Sequence, residues 1–388
     1  MKTPLAWLNL THNKLRTGVA LAGVAFAVIL MFMQLGFLGS AWHTASLIYD
    51  QLDFDILVRA KQSRRLATAA PFPEARLYEV GSTPGVQSVS GLCMGFNRFV
   101  RHRPDARFNR RIFTLGAKPG DAVFRNAEMQ EKLSLLSAPE FALIDRASRG
   151  DYGPADENRF GDADLGTELE LGNQRFQLVG HFLLGNSFEA DGTLLVSRDG
   201  FLRGFPGWPA DYVTLGLLKL EPGADPYATI ELMYARGVVA PDVSVHTKAD
   251  LIAAERRLWL FEQSIGIIFC MGVVVAVVVG AMIVYQVLAT DIAKHLPEYA
   301  TLRAMGYGDG HLRNVVLQQA LLLALLGFVP GWAVAWLLYL ITAVQTRLPI
   351  YMTWTWMGLV LLLTVAMCTI SGLAALRKLR AADPADLY

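Results

Sequence analysis

Charge is scarce in this chain. Asp, Glu, Lys and Arg make up 18% of its 388 residues, against about 25% in soluble domains. Hydrophobic residues reach 53% and the mean hydropathy is +0.34. This composition excludes an ordinary soluble protein and a disordered one. Cysteine is scarce too. Cys93, Cys270 and Cys368 are odd in number and far apart, which excludes a disulfide framework and a Cys-based zinc site. A net charge of +1 leaves no basic footprint for nucleic acid. The chain has no G-x-x-x-x-G-K-[ST] loop to cradle ATP phosphates, no HExxH and no G-x-S-x-G elbow.

The charges are absent in blocks. Thr17–Tyr49, Gln263–Thr290, Asn314–Thr346 and Leu348–Leu376 contain none, over 33, 28, 33 and 29 residues. About 20 mostly apolar residues cross the hydrocarbon core as a helix. The pattern predicts a membrane protein with four transmembrane α-helices, at 17–39, 264–288, 314–343 and 354–376. The first run exceeds the 7–15 apolar residues of a signal peptide and is expected to stay as an anchor. The expected spans carry no carboxylate, Lys or Arg, which argues against a proton- or sodium-coupled carrier and a charged ion filter.

Orientation follows from the short flanks. Lys2, Lys14 and Arg16 precede the first span, and Arg377, Lys378 and Arg380 follow the last. The loop 344–353 holds only Arg347. Both termini are therefore expected in the cytoplasm, with residues 40–263 outside it. That segment is net −4 and the rest net +5. Tyr351, Trp354 and Trp356 form an aromatic belt at the outer end of span four, and Trp7 marks the inner side.

Residues 40–263 can bury a core of their own and read as a large α+β extracytoplasmic domain between helices 1 and 2, with one or two lobes. Strands are expected at Phe54–Val58, Arg111–Leu115, Glu168–Leu171, Arg175–Val179, Thr193–Val196 and Tyr212–Leu220. Helices are expected at Pro73–Val80, at Asp225–Ala235 with Asp225 as cap, and at Leu251–Phe261 running into span two. Ser148–Asp164 reads as a loop. Its acidic residues Asp151, Asp156, Glu157, Asp162 and Asp164 lack EF-hand spacing and read as solvated. Arg101, His102, Arg103, Arg107, Arg110 and Arg111 read as an exposed strand pair rather than an anion site. The domain's histidines, His102, His181 and His246 (with His43 at the membrane edge), show no metal-ligand spacing.

Three pieces face the cytoplasm. Residues 1–16 are expected to form an amphipathic helix with Thr3 as cap, Pro4 at N1, and Leu5, Leu8 and Leu15 on one side. In the loop 289–313, Ile292, Leu296, Tyr299 and Leu302 make one apolar stripe, and Gly306 can end the helix. That helix is either an interfacial connector or a lever docking in a partner. The tail 377–388 is too short for a catalytic domain. In span three, Gly327 and Gly331 permit close helix approach, within one subunit or between two, and Pro330 permits a kink.

The layout resembles the MacB/FtsX-like (type VII) ABC transporter permeases, and in detail the DevC type. Residues 293–331, AKHLPEYATLRAMGYGDGHLRNVVLQQALLLALLGFVPG, are similar to the DevC signature after span two. NKLRT before span one and AADPADLY at the end also resemble it, as do GSTPGVQSVS and VHTKADLIAAERRLW in the outer domain. The resemblance implies a non-catalytic subunit, with no cofactor in this chain and with ATP and Mg held by a separate DevA-like ABC ATPase. It implies ATPase-coupling positions at Glu298, Tyr299, Leu302, Arg303, Ala304, Met305 and Gly306. It also implies a homodimer in the bacterial inner membrane, contacts with membrane lipids, a DevB-like periplasmic adaptor and, indirectly, a TolC-like outer-membrane channel. Export of a lipid or other amphiphile by mechanotransmission is the expected function. FtsX-like signalling to a periplasmic cell-wall hydrolase is the alternative, and an outer-domain receptor or enzyme is a weaker third reading.

Overall fold

Four long apolar helices stand out among the described residues: Lys14–Thr44, Ser264–Lys294, Asp309–Thr346 and Trp354–Ala381. Each is long and apolar enough to cross a membrane. The protein's computed structural model describes residues 14–63, 69–102, 107–156, 159–294 and 309–381. Residues 1–13, with most of the expected N-terminal helix, lie outside the described residues, as do Arg103, Glu157, the loop 295–308 and the tail 382–388. The chain divides into a helical unit (1–40, 263–345, 350–388) and an inserted unit (41–262, 346–349).

The helices outlast the expected spans. Thirty-one residues, as in the first and second helices, rise roughly 46 Å, more than the roughly 30 Å hydrocarbon core. The first helix packs as the centre of its unit. Ala20, Val24, Ala27, Val28, Met31 and Phe32 recur at spacings of three and four and are fully buried. Tyr339 of the third helix donates its hydroxyl to the Phe32 carbonyl. Ser371 of the fourth donates to the Ala281 carbonyl of the second at 2.8 Å. Phe26, Met271, Val275, Met282, Trp336, Leu340 and Leu362 stay exposed, as expected for faces solvated by lipid tails.

Among its described residues the inserted unit holds eleven strands: β1 (Ile56–Ala60), β2 (Phe72–Pro73), β3 (Val86–His102), β4 (Arg107–Ala117), β5 (Phe141–Asp145), β6 (Glu168–Leu171), β7 (Gln174–Phe182), β8 (Thr193–Ser197), β9 (Tyr212–Val213), β10 (Leu215–Leu220) and β11 (Val243–Thr247). Nine form one sheet in the order β11-β1-β10-β3-β4-β8-β5-β7-β6, and β6 returns to pair with β3. The segment from β3 to β6 therefore closes on itself, and β10, β1 and β11 extend it on one side. The first part of β3 pairs with β10 and the far end with β6 at Phe99 and Val100. Both faces of the sheet are covered. Ile56 and Val58 join one apolar core and Leu57 the other; Leu194 and Val196 likewise join the first and Leu195 the second.

The local chemistry is ordinary. Asp225 caps helix Pro226–Ala235, accepting from the Tyr227 and Ala228 amides, with Pro226 at the first position. The β6–β7 hairpin turns on Gly172 and Asn173 at φ 58° and 67°, the paired left-handed conformation of a two-residue hairpin loop. One expected helix has different bounds, and some strands lie where none was expected. The helix expected at Leu251–Phe261 spans Lys248–Arg257, and a π-helical turn, Leu258–Glu262, follows it. β5 and β11 were not expected, and β3 begins right after the turn in GSTPGVQSVS.

Candidate functional site

The candidate coupling residues Glu298, Tyr299, Leu302, Arg303, Ala304, Met305 and Gly306 all lie outside the described residues. The helix that leads into them is described to its last turn, where sequence reasoning missed a polar node. Arg16 Nη1, in the first turn of helix one, meets Asp291 Oδ1, in the last turn of helix two, at 2.9 Å. Gln319 of helix three donates Nε2 to Asp291 Oδ2 at 3.3 Å. Gln319 is fully buried, and both charged side chains are largely so. Away from water an ion pair of this kind is retained only where its partners are fixed. One carboxylate thus ties three helices together at the point where the chain enters the 295–308 loop.

Gly327 and Gly331 of helix three face helix one within the same chain. A Cβ at Gly327 would come within 2.6 Å of Val24 Cγ1, and one at Gly331 within 2.8 Å of Val28 Cβ. The two glycines form the seat for two fully buried valines, so this face is occupied inside the subunit. Pro330 lies between them in a helix that continues on both sides. It leaves the carbonyl four residues earlier without an intrahelical donor.

In the inserted unit the charges are organised as internal braces. The acidic loop is not wholly solvated: Asp164 is 1% exposed, and Arg101, from the basic run, is 3% exposed. Their side chains pair at 2.8 Å, and Arg101 lies over the Phe160 ring at 5.4 Å. Asp164 also accepts from the Ala155 and Gly161 amides at 2.8 and 2.9 Å. Of the other described residues of the run, His102, Arg107, Arg110 and Arg111 sit exposed on the antiparallel β3–β4 pair, with His102 opposite Arg107 and Phe99 opposite Arg110.

A second brace centres on Glu74, at the start of helix Glu74–Gly81. It meets Lys118 Nζ at 2.9 Å and Arg198 Nη1 at 2.7 Å. Burial would raise the Glu74 carboxyl, but hydrogen bonds and charge from Lys118 and Arg198 outweigh it and hold the group below its ordinary range. Nearby, burial pushes the Cys93 thiol up to about 11, which removes it as a nucleophile near neutral pH. A third group joins Arg146 Nε to His181 Nδ1 at 2.8 Å and His181 Nε2 to Asp162 at 2.7 Å. Arg146 Nη2 also lies 2.9 Å from His181 Nε2. The bond from His181 lowers the Asp162 carboxyl.

No catalytic arrangement emerges from these groups. Among the described residues no cluster of His, Cys, Asp and Glu can hold a metal ion. A cavity lined by Thr44, Ile48, Leu184, Glu189 and Trp259 encloses about 20 Å³. That is room for about one water and far below the roughly 300 Å³ of a small ligand pocket.

Comparison with known proteins bears on the helical unit. Residues 270–384, from within the second apolar helix past the end of the fourth, match the family of the FtsX-like permease C-terminal. Residues 270–384 are thus similar to an FtsX-like permease C-terminal segment, in a chain with four described helices long and apolar enough to cross a membrane. Among curated proteins none matches the chain. Solved structures that overlie part of it include the following three. The extracellular domain of the noncanonic ABC-type transporter YknZ, from Gram-positive bacteria, is 15% identical with a TM-score of 0.33, covering 50% of this chain and 100% of that one. The periplasmic region of MacB from Actinobacillus actinomycetemcomitans is 11% identical with a TM-score of 0.35, covering 53% and 93%. A domain of a putative permease protein from Porphyromonas gingivalis is 16% identical with a TM-score of 0.29, covering 51% and 88%.

Proposed function

We propose that this chain is the membrane subunit of a MacB/FtsX-like ABC exporter of the DevC type. In this reading a separate DevA-like ABC ATPase binds ATP and Mg and docks on the 289–313 loop. Hydrolysis there moves the four helices and, through them, the inserted domain, which drives export of a lipid or other amphiphile. The observation that carries the reading is the FtsX-like permease match over residues 270–384, which covers the loop and the helices on either side of it. The Arg16–Asp291–Gln319 node supports it, because it gives the loop a firm attachment to three helices.

The rest of the assembly belongs to the same proposal. The protein works as a homodimer in the inner membrane, with both termini cytoplasmic and the inserted domain periplasmic. A DevB-like adaptor and a TolC-like channel complete the route out. FtsX-like signalling would use the same ATPase and loop but act on a cell-wall hydrolase. The test is reconstitution. The purified chain should show no ATP hydrolysis, and hydrolysis by the ABC ATPase encoded nearest to it should change severalfold when the chain is added in lipid. ATP hydrolysis by the chain alone, with no ATPase present, sinks the proposal.

A further inference from the structure

The last residue of the third apolar helix and the first three of the link to the fourth, Thr346–Pro349, belong to the inserted unit rather than to the helical one. An insertion between two helices needs only two connections to them. Here the chain supplies a third, and its side chains fasten it. Arg347 Nη1 donates to the Ser148 carbonyl at 2.5 Å. The Leu348 amide bonds to Thr346 Oγ1 at 3.3 Å, and Leu348 is buried. Arg347 adopts φ +55°, a left-handed conformation that non-glycine residues seldom take without a compensating contact. Burial, followed by the charges of Arg159 and Arg149, lowers the guanidinium from its usual range. An arginine held this way is positioned for its carbonyl partner.

The receiving end is rigid. Ser148 is fully buried. Its amide bonds to the Asp145 carbonyl at 3.0 Å, and its hydroxyl accepts from the Thr193 amide at 3.3 Å. Asp145, also fully buried, accepts from the amides of Ala147, Leu184 and Gly185 at 3.0, 3.2 and 2.9 Å. Ser148 therefore sits in a knot that ties the end of β5 to the start of β8 and to the segment after β7. These strands are neighbours in the closed part of the sheet. The other two connections enter elsewhere. The first apolar helix leads to β1, and β11 leads to the second, so both feed the β11–β1 edge.

We propose that Arg347 is a mechanical clasp that makes the turn between helices three and four a separate input to the β5–β8 knot, distinct from the input that helices one and two give to the β11–β1 edge. The clasp's role in transmission rests on the reading that nucleotide moves the helices. Two inputs at different places on one sheet can tilt it, where one edge alone can only carry it along.

The test is hydrogen exchange on the full chain in lipid nanodiscs with the ABC ATPase encoded nearest to it, in ADP and in a non-hydrolysable ATP analogue. Two regions are read, 141–153 with 184–193 for the knot, and 56–60 with 243–247 for the edge. Arg347→Gly removes the clasp without strain at φ +55°, and Arg347→Lys keeps the charge but changes the donor geometry. In the native chain both regions should change with nucleotide. In Arg347→Gly the response of the knot should fall at least fivefold while that of the edge persists, with Arg347→Lys between. A knot response in Arg347→Gly equal to native overturns the clasp and leaves the functional reading standing. A native chain whose two regions both ignore nucleotide overturns that reading and the clasp's transmitting role together.

Discussion

Replacing Asp164 by Ala should destabilise the inserted domain more than any single surface change in the same loop. The substitution removes the carboxylate that Arg101 meets at 2.8 Å and leaves that guanidinium buried, its side chain only 4% exposed. It also strips the acceptors from the Ala155 and Gly161 amides. Breaking one side of a buried pair costs about 3–5 kcal/mol. For a domain of this size that lowers a melting midpoint by roughly 6–20 °C. Arg101→Met should cost a similar amount. The double variant Arg101→Met/Asp164→Leu should cost less than the sum by about 1–3 kcal/mol, because it leaves no orphaned charge. The assay is thermal unfolding of the full chain in detergent, with hydrogen exchange of residues 159–171 reporting on the loop itself. A loss under about 1 kcal/mol for Asp164→Ala, or strict additivity in the double variant, refutes the view of this pair as an internal brace.

Other perturbations test other parts of the account. Gly331→Leu forces side-chain atoms into Val28 and the Ala25 carbonyl; overpacking of this kind costs about 1–3 kcal/mol. It should cut the monodisperse yield after detergent extraction, whereas Gly358→Leu, with nothing within 4 Å of its Cβ, should not. Asp291→Asn removes the charge that Arg16 meets, and should lower the melting midpoint by the equivalent of about 1–3 kcal/mol; adding Arg16→Gln should recover part of it. Acid should loosen helix Glu74–Gly81. Since the folded Glu74 carboxyl lies below its ordinary value of 4.5, its contribution is present above about that pH and is lost as the pH falls through the folded value. Exchange protection of that helix should therefore fall in acid in the native chain, and Glu74→Gln should flatten the dependence. A native profile already flat between pH 3 and 6 goes against the brace.

The helical unit was legible because four runs of 28–33 residues carry no charge, and nothing but a membrane or a very large core accepts such helices. Their ends were less legible. Arg16 and Asp291 lie beyond the apolar runs, and each is accommodated only because the other is there; a reading by composition stops short of both. The i, i+4 pair Gly327 and Gly331 announced a close approach, and only the fold names Val24 and Val28 as the side chains seated there.

In the inserted domain the β6–β7 hairpin was readable from alternation around Gly172-Asn173. β3 was not, because Gly91 and Gly95 interrupt it and both its faces are covered over Ser90–Met94, so period-two contrast is lost there. β5 is a short, almost continuously apolar strand that periodicity cannot tell from other buried segments. The Arg101–Asp164 pair did leave a signal. Phe99 and Arg101 share a strand face by period two, and a charge on a buried face calls for a partner. Which acidic residue answers it, 63 positions later, depends on β6 returning to β3. The clasp at Arg347 left no signal in the sequence: as the only charge in its loop it reads as an ordinary surface residue.

The most direct test of the central claim is co-purification. The full chain is co-expressed with the ABC ATPase encoded nearest to it, as the native sequence and as Glu298→Lys, and the stoichiometry is measured after extraction. The account predicts a stable complex with the native chain and a loss of at least tenfold in retained ATPase with the charge reversal, with the extracted membrane chain equally monodisperse in both. A folded native chain that retains no ATPase, or a Glu298→Lys chain that retains as much as native, contradicts it.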